Sequence, residues 1–207
     1  MEIYKEDYPH NEIEFDSKFN TEEACHEYLF KLRWPDGFIC PKCGHNQYWK
    51  NRRALYECQK CHTQTSITAG TIMHGTRKPL RYWFKAMWWF TANKTGVNAV
   101  NLQKLLGLKS YETAWVWLQK LRSCTIRKGR SPLSGEIEVD EVYIGGKGKG
   151  KRGRGAEHKV KVAIAVERKD GKLGRIRMEA IEDCSANSLV SFIKKNITPG
   201  SRVITDG

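Results

Sequence analysis

Two groups of side chains in this sequence have the types and spacing to do chemistry. The first lies in CPKCGHNQYWKNRRALYECQKCHT, where Cys40-x₂-Cys43 and Cys58-x₂-Cys61 are separated by fourteen residues. Each C-x₂-C turns tightly enough to aim two thiolates at one ion, and two such pairs complete a tetrahedral Cys₄ shell for Zn²⁺. A redox motif would need a single pair beside a helix start, whereas here two matched pairs flank a hairpin. His45 and His62 stand next to the pairs, but four thiolates already satisfy the ion. A closed shell leaves no position for a substrate, so the expected Zn²⁺ is structural.

The second group is carboxylic. GEIEVDEVYIGGK places Asp140 and Glu141 in the middle of a strand-like run, and ITDG places Asp206 at the end of another. A carboxylate buried at the centre of an apolar strand is costly unless something pairs with it. Carboxylates on adjacent strands can share Mg²⁺ or Mn²⁺, which favour hard oxygen ligands. Two such ions about 3.5–4 Å apart suit attack on a phosphodiester. Neighbouring strand residues face opposite sides, so periodicity does not choose between Asp140 and Glu141.

The elements around these groups follow from residue patterning. Residues 47–50 and 54–57 read as the strands of a ribbon, whose Lys42, Lys50, Arg52, Arg53 and Lys60 could touch phosphates. After Pro79, Leu80, Trp83, Phe84, Met87 and Trp88 repeat at the spacing of one buried helix face, predicting a helix over 80–92. Two more helices are expected at 98–106 and 111–122, joined by Gly107-Leu108-Lys109-Ser110. Ser110 suits an N-cap, and the pattern is that of a helix-turn-helix whose second helix enters a major groove. Tyr111, Glu112, Gln119 and Lys120 lie off its apolar stripe and are the candidates to read that surface. Strands are then expected at 136–144, 160–166 and 175–181, with a turn at Asp170-Gly171. A helix at 186–195 capped by Ser185 and a fourth strand at 201–207 complete an α/β layer with mixed pairing. The glycine-rich segment between the first two strands carries Lys147, Lys149, Lys151, Arg152 and Arg154, which could grip a phosphate backbone.

Charge narrows the partner class. The formal net charge is +13, yet residues 1–30 hold two basic against nine acidic residues, leaving 34 basic against 14 acidic in the rest. A body this positive attracts polyanions, and nucleic acid is the first candidate. No apolar stretch reaches the ~18 residues of a membrane span. The acidic N-terminus lacks the basic start and apolar run of a secretory signal. The expected location is therefore the cytoplasm, where a reducing environment argues against disulfides. Cys25, Cys124 and Cys184 are most simply small core residues.

A zinc ribbon, a helix pair ending in SYETAWVWLQKLR, and GEIEVDEVYIGGK, KVAIAVER and ITDG in that order resemble bacterial insertion-sequence transposases. The resemblance is to the DDE class with an N-terminal zinc ribbon and a ribonuclease H-like catalytic core. It implies an α+β multi-module chain with an acidic segment at 1–34 that is partly helical and a ribbon at 35–66. A helix-turn-helix DNA-binding region at 78–124 and a catalytic domain at 133–207 would follow. It also implies that Asp140 and Asp206 are the first two metal-binding acids, with Glu141 a neighbour. The implied reaction is water-driven cleavage at element ends, then attack of the freed 3′-hydroxyl on target DNA. Double-stranded DNA would be the partner, and family members act as dimers or larger assemblies on paired ends. The family's fold continues past TDG, and a later helix supplies a third metal ligand. The expectation is therefore an incomplete ribonuclease H-like domain in a catalytically incomplete, C-terminally truncated chain. The rival readings are a non-catalytic protein that occupies element ends and inhibits an intact transposase, and a zinc-ribbon transcription factor. The latter leaves the acid-bearing strands unexplained.

Overall fold

A computed structural model of the protein describes residues 8–126, 129–146 and 159–206. The chain divides into two compact units, Met1–Ile126 and Arg127–Gly207, each with its own core. Together they form a mixed α+β protein.

The first unit opens with two helices, α1 (Glu12–Lys18) and α2 (Glu22–Arg33), started by the side chains of Asn11 and Thr21. A three-stranded antiparallel sheet follows in the order β1 (Tyr48–Lys50), β2 (Tyr56–Cys58), β3 (Gln64–Thr65). The third strand was not expected, because two polar residues carry no periodicity. Three helices complete the unit: α3 (Leu80–Ala92), α4 (Ala99–Leu106) and α5 (Tyr111–Cys124). Asn98 and Ser110 cap α4 and α5, and Gly107 ends α4 in the left-handed conformation at φ 59°.

Aromatic side chains join these elements. Phe15 and Phe19 of α1 and its C-cap meet Phe84 and Trp88 of α3, with Phe19 also against Tyr28 of α2. A second cluster of Phe30, Trp34, Phe38, Tyr48 and Tyr56 seats the inner face of the small sheet on α2. Trp83 and Trp117 stack at 3.8 Å, tying α3 to α5. Such pairs contribute roughly 0.5–1.5 kcal/mol each beyond their burial.

The acidic start of the chain serves the same packing. Glu12 and Asp16 pair with Lys85 and Arg81 of α3 at 2.7 and 3.2 Å. α3 lacks a side-chain cap of its own. Glu22 of α2 supplies it, accepting from the backbone N–H groups of Leu80 at 2.6 Å and Arg81 at 3.2 Å. A carboxylate there meets both the orphan donors and the positive end of the helix dipole. Glu22→Ala is expected to lower the unfolding free energy by about 1–2 kcal/mol, read as a shifted urea midpoint at unchanged slope.

The second unit is a four-stranded sheet of β4 (Glu136–Ile144), β5 (Val160–Lys169), β6 (Lys172–Ile181) and β7 (Arg202–Ile204), in the order β6-β5-β4-β7. β4, β5 and β6 run antiparallel in turn. The helix α6 (Ala186–Asn196) then crosses over, so that β7 pairs parallel to β4. Asp170 and Gly171 turn the β5–β6 hairpin with φ of 52° and 72°, the two positive angles of a type I′ turn. Ile137, Val139, Ala163 and Ala165 face Phe192 and Ile197 across one side of the sheet. Ile144, Val160, Ile176 and Met178 lie on the other side and are about half exposed.

One end of this core carries a buried acid. Glu167 is 9% exposed and is gripped by Arg175 through two bonds of 2.9 and 2.7 Å, with a third from the Ser134 backbone N–H at 3.2 Å. The Arg175 guanidinium holds its carboxyl down to about 2. A depressed carboxyl stabilises the fold above its unfolded value near 4.3 and loses that contribution as pH falls towards 2. Arg175 is 43% exposed, so solvent screening leaves about 1–2 kcal/mol of this effect. Glu167→Gln is expected to lose that amount at pH 7 and to flatten the acid limb of a pH–stability curve between about 5 and 2.

Candidate metal centres

The ribbon forms the first centre. In each knuckle the backbone folds back on itself: the N–H of Gly44 donates to the Cys40 carbonyl and that of His62 to the Cys58 carbonyl, both at 3.0 Å. Both turning residues take the left-handed conformation, Gly44 at φ 73° and His62 at φ 56°. The four sulfurs of Cys40, Cys43, Cys58 and Cys61 lie within 4.8 Å of one another. Cys40 meets Cys61, and Cys43 meets Cys58, at 3.6 Å. Zinc–thiolate bonds of about 2.3 Å give a tetrahedron with edges of about 3.8 Å, so the donor set fits a structural Zn²⁺. Thr63 lies 3.2 Å from the Cys61 sulfur, and its hydroxyl and backbone N–H hold that thiol down to about 6. His45 and His62 stay outside the cluster.

The acids form the second. β4 and β7 pair with Ile137 opposite Val203 and Glu138 opposite Ile204. Carried two residues past its last pair, this register would set Asp206 opposite Asp140. β7 ends at Ile204, short of the strand expected at 201–207, so Asp206 stands past its end. Both acids are exposed. That corrects the view of Asp140 as a carboxylate buried in an apolar strand: it lies on the sheet face opposite α6, where no burial cost arises. Alternation puts Glu141 on the α6 side with Val139.

Asp140 ends a row of three acids on one face. Glu136 pairs with Arg202 at 3.4 Å and Glu138 with Arg168 at 2.7 Å. Asp140 makes no ion pair among the described residues, and its Oδ1 accepts from the Glu141 N–H at 2.7 Å. No third acid gathers with Asp140 and Asp206 among those residues. Asp183 is committed elsewhere, accepting from the Ser185 N–H at 3.0 Å and the Ser188 hydroxyl at 2.7 Å at the start of α6. These bonds hold its carboxyl down to about 2.

The candidate DNA contacts are scattered. Arg52 and Arg53 are exposed in the turn between β1 and β2, and Tyr111 is exposed in the first turn of α5. Gln119 is half-buried. So is Lys120, whose ammonium donates to the Ile72 carbonyl at 3.1 Å and lies over Trp83. Trp115 and Val116 are the large exposed residues of α5 that sequence reasoning passed over, although both lie off its apolar stripe. Lys147, Lys149, Lys151, Arg152 and Arg154 lie outside the described residues. Of the remaining cysteines, Cys25 is buried, Cys184 half-buried and Cys124 exposed, so Cys124 is not a core residue. Among the described residues no helix is long and apolar enough to cross a membrane.

Comparison with known proteins finds two matching domain families. Residues 20–64 match the family profile described as a transposase zinc-ribbon domain. Residues 132–207 match that described as an ISXO2-like transposase domain. Over 132 residues the chain is 26% identical to an uncharacterized protein in transposable element ISH50 of Halobacterium salinarum, covering 61% of this chain and 43% of that relative. No solved structure matches. With a ribbon whose four sulfurs converge as a zinc site requires and a second unit that matches over residues 132–207, the chain belongs to the insertion-sequence transposases that join a zinc ribbon to an ISXO2-like transposase domain.

Proposed function

We propose that this chain binds the DNA ends of an insertion sequence and carries the metal-binding acids for phosphodiester cleavage and strand transfer. The observation that carries the reading is the parallel β4–β7 pairing, whose register, carried two residues past its last pair, would bring Asp206 opposite Asp140. The sheet order, three antiparallel strands, a crossover helix and a parallel fourth strand, supports a ribonuclease H-like core. Mg²⁺ or Mn²⁺ bound there would activate the attacking oxygen and steady the leaving one. Asp140 and Asp206 would offer hard carboxylate oxygens, while Arg168 and Arg202 keep Glu138 and Glu136 engaged. In the first unit, α4, the turn at Gly107 and the capped α5 would act as a helix-turn-helix. Tyr111, Trp115 and Val116 would then meet the major groove. The zinc ribbon would present Arg52 and Arg53 to phosphates, and two chains would act on paired ends.

The second reading is a protein that occupies element ends without cutting them. It is favoured by the absence of a third acid near Asp140 and Asp206 among the described residues. Incubating the zinc-loaded chain with labelled element-end duplex and Mg²⁺ or Mn²⁺ separates the two. Nicking that stops on chelation supports the enzyme, retarded but intact DNA supports the occupant, and neither result would sink both.

A further inference from the structure

Tyr48 turns inward to the aromatic cluster, so alternation along β1 sends Trp49 to the opposite, outer face of the ribbon, where it is 53% exposed. A module this small has few large apolar side chains, and leaving an indole in water forgoes the burial that would help hold it. Beside it, His62 lies nearly parallel, with ring centroids 6.2 Å apart and planes at 23°. The imidazole is set by Glu57, directly across from Trp49 in the register, at 3.5 Å. His62 holds this place against its backbone preference. It occupies the left-handed turn that in the matching knuckle is filled by Gly44. The ribbon thus displays two exposed rings, with exposed Arg52 in the adjoining hairpin turn and exposed Lys60 in the adjoining knuckle.

We infer that the outer face of the ribbon is a stacking platform for unpaired nucleotides of DNA. An open π-face flanked by cations recognises a base together with its phosphate. In duplex DNA the base faces are covered by their neighbours, so cations alone can be used there and the indole gains nothing. A single-stranded stretch presents both. The inference rests on the DNA-binding reading for its class of partner. It goes beyond that reading in assigning the ribbon a task separate from duplex recognition, namely holding a frayed or cleaved strand.

The test uses the zinc-loaded full chain and fluorescence anisotropy with a labelled twelve-nucleotide oligothymidine, single-stranded or annealed to its complement. Trp49→Ala is expected to weaken single-strand binding about tenfold and duplex binding less than twofold. Trp49→Phe, which keeps a ring, should recover most of the loss, and zinc content should stay at one ion per chain in both variants. Equal losses on the two DNAs, or an unchanged single-strand affinity in Trp49→Ala, would overturn the platform while leaving duplex recognition standing. If Trp49→Ala sheds zinc, the Phe variant decides: single-strand affinity as low as without a ring refutes stacking. A wild-type chain that binds neither DNA refutes the DNA-binding reading itself, and the platform with it.

Discussion

Withdrawing zinc with a strong chelator is expected to unfold the ribbon and loosen the helix beneath it, while the sheet of β4 to β7 keeps its structure. The three ribbon strands are two or three residues long, and their ladders alone do not hold them together. Four sulfurs within 4.8 Å supplement the small aromatic core, and structural zinc sites of this kind contribute on the order of 10–16 kcal/mol. Without the ion those sulfurs have no reason to converge. Cys40 and Cys58, both buried, would take Tyr56, Trp34 and Phe38 out of register with Phe30 of α2. Cys58→Ser is expected to act like the chelator. Near-ultraviolet dichroism would report the aromatic cluster, and hydrogen exchange would report the backbone N–H groups of Gly44, Cys58 and His62. An aromatic signal that survives stoichiometric zinc removal would show that packing, not metal, holds the module.

The second large effect is expected at Asp140. Asp140→Asn keeps the side chain's shape and the oxygen that accepts from the Glu141 N–H, and the residue is exposed, so the fold should be untouched. What disappears is the negative charge of the carboxylate. On the proposed reading of Asp140 as a metal ligand, losing its carboxylate would cost several kcal/mol of transition-state stabilisation, a rate loss on the order of 10³-fold. Glu138→Gln, two residues along the same face, is expected to change the rate only a few-fold, because Arg168 already neutralises Glu138. Metal-dependent nicking of element-end DNA supplies the rate, and Mn²⁺ affinity by electron paramagnetic resonance reports the site independently. Undiminished nicking and Mn²⁺ binding in Asp140→Asn would remove Asp140 from the mechanism.

Much of this arrangement is written in local patterns. Cysteine spacing alone predicts the metal cluster, because C-x₂-C geometry is set within four residues. The aromatic stripe of 80–92 and the β-branched run of 136–144 reproduce α3 and β4, since long apolar periods outweigh local noise. Less visible was anything that depends on which face of an element is covered. The run around Asp140 looks buried on both sides, yet only the side of Ile137 and Val139 receives α6. The same limit explains Lys120: its spacing places it off the stripe, but only the fold shows the Ile72 carbonyl within reach. The acids at the start of the chain read only as a local negative charge, whereas three of them, Glu12, Asp16 and Glu22, serve α3.

Those α3 contacts also bear on how the chain would answer to salt. A cation already holding a carboxylate releases no counterions from DNA when it approaches a phosphate. Arg81 and Lys85, neutralised from within by Asp16 and Glu12, would therefore drop out of the count. Each phosphate contact steepens the fall of log K with log salt by about 0.9. The observed slope would then count only the cations the fold leaves open, and a formal charge of +13 would be a poor guide to it.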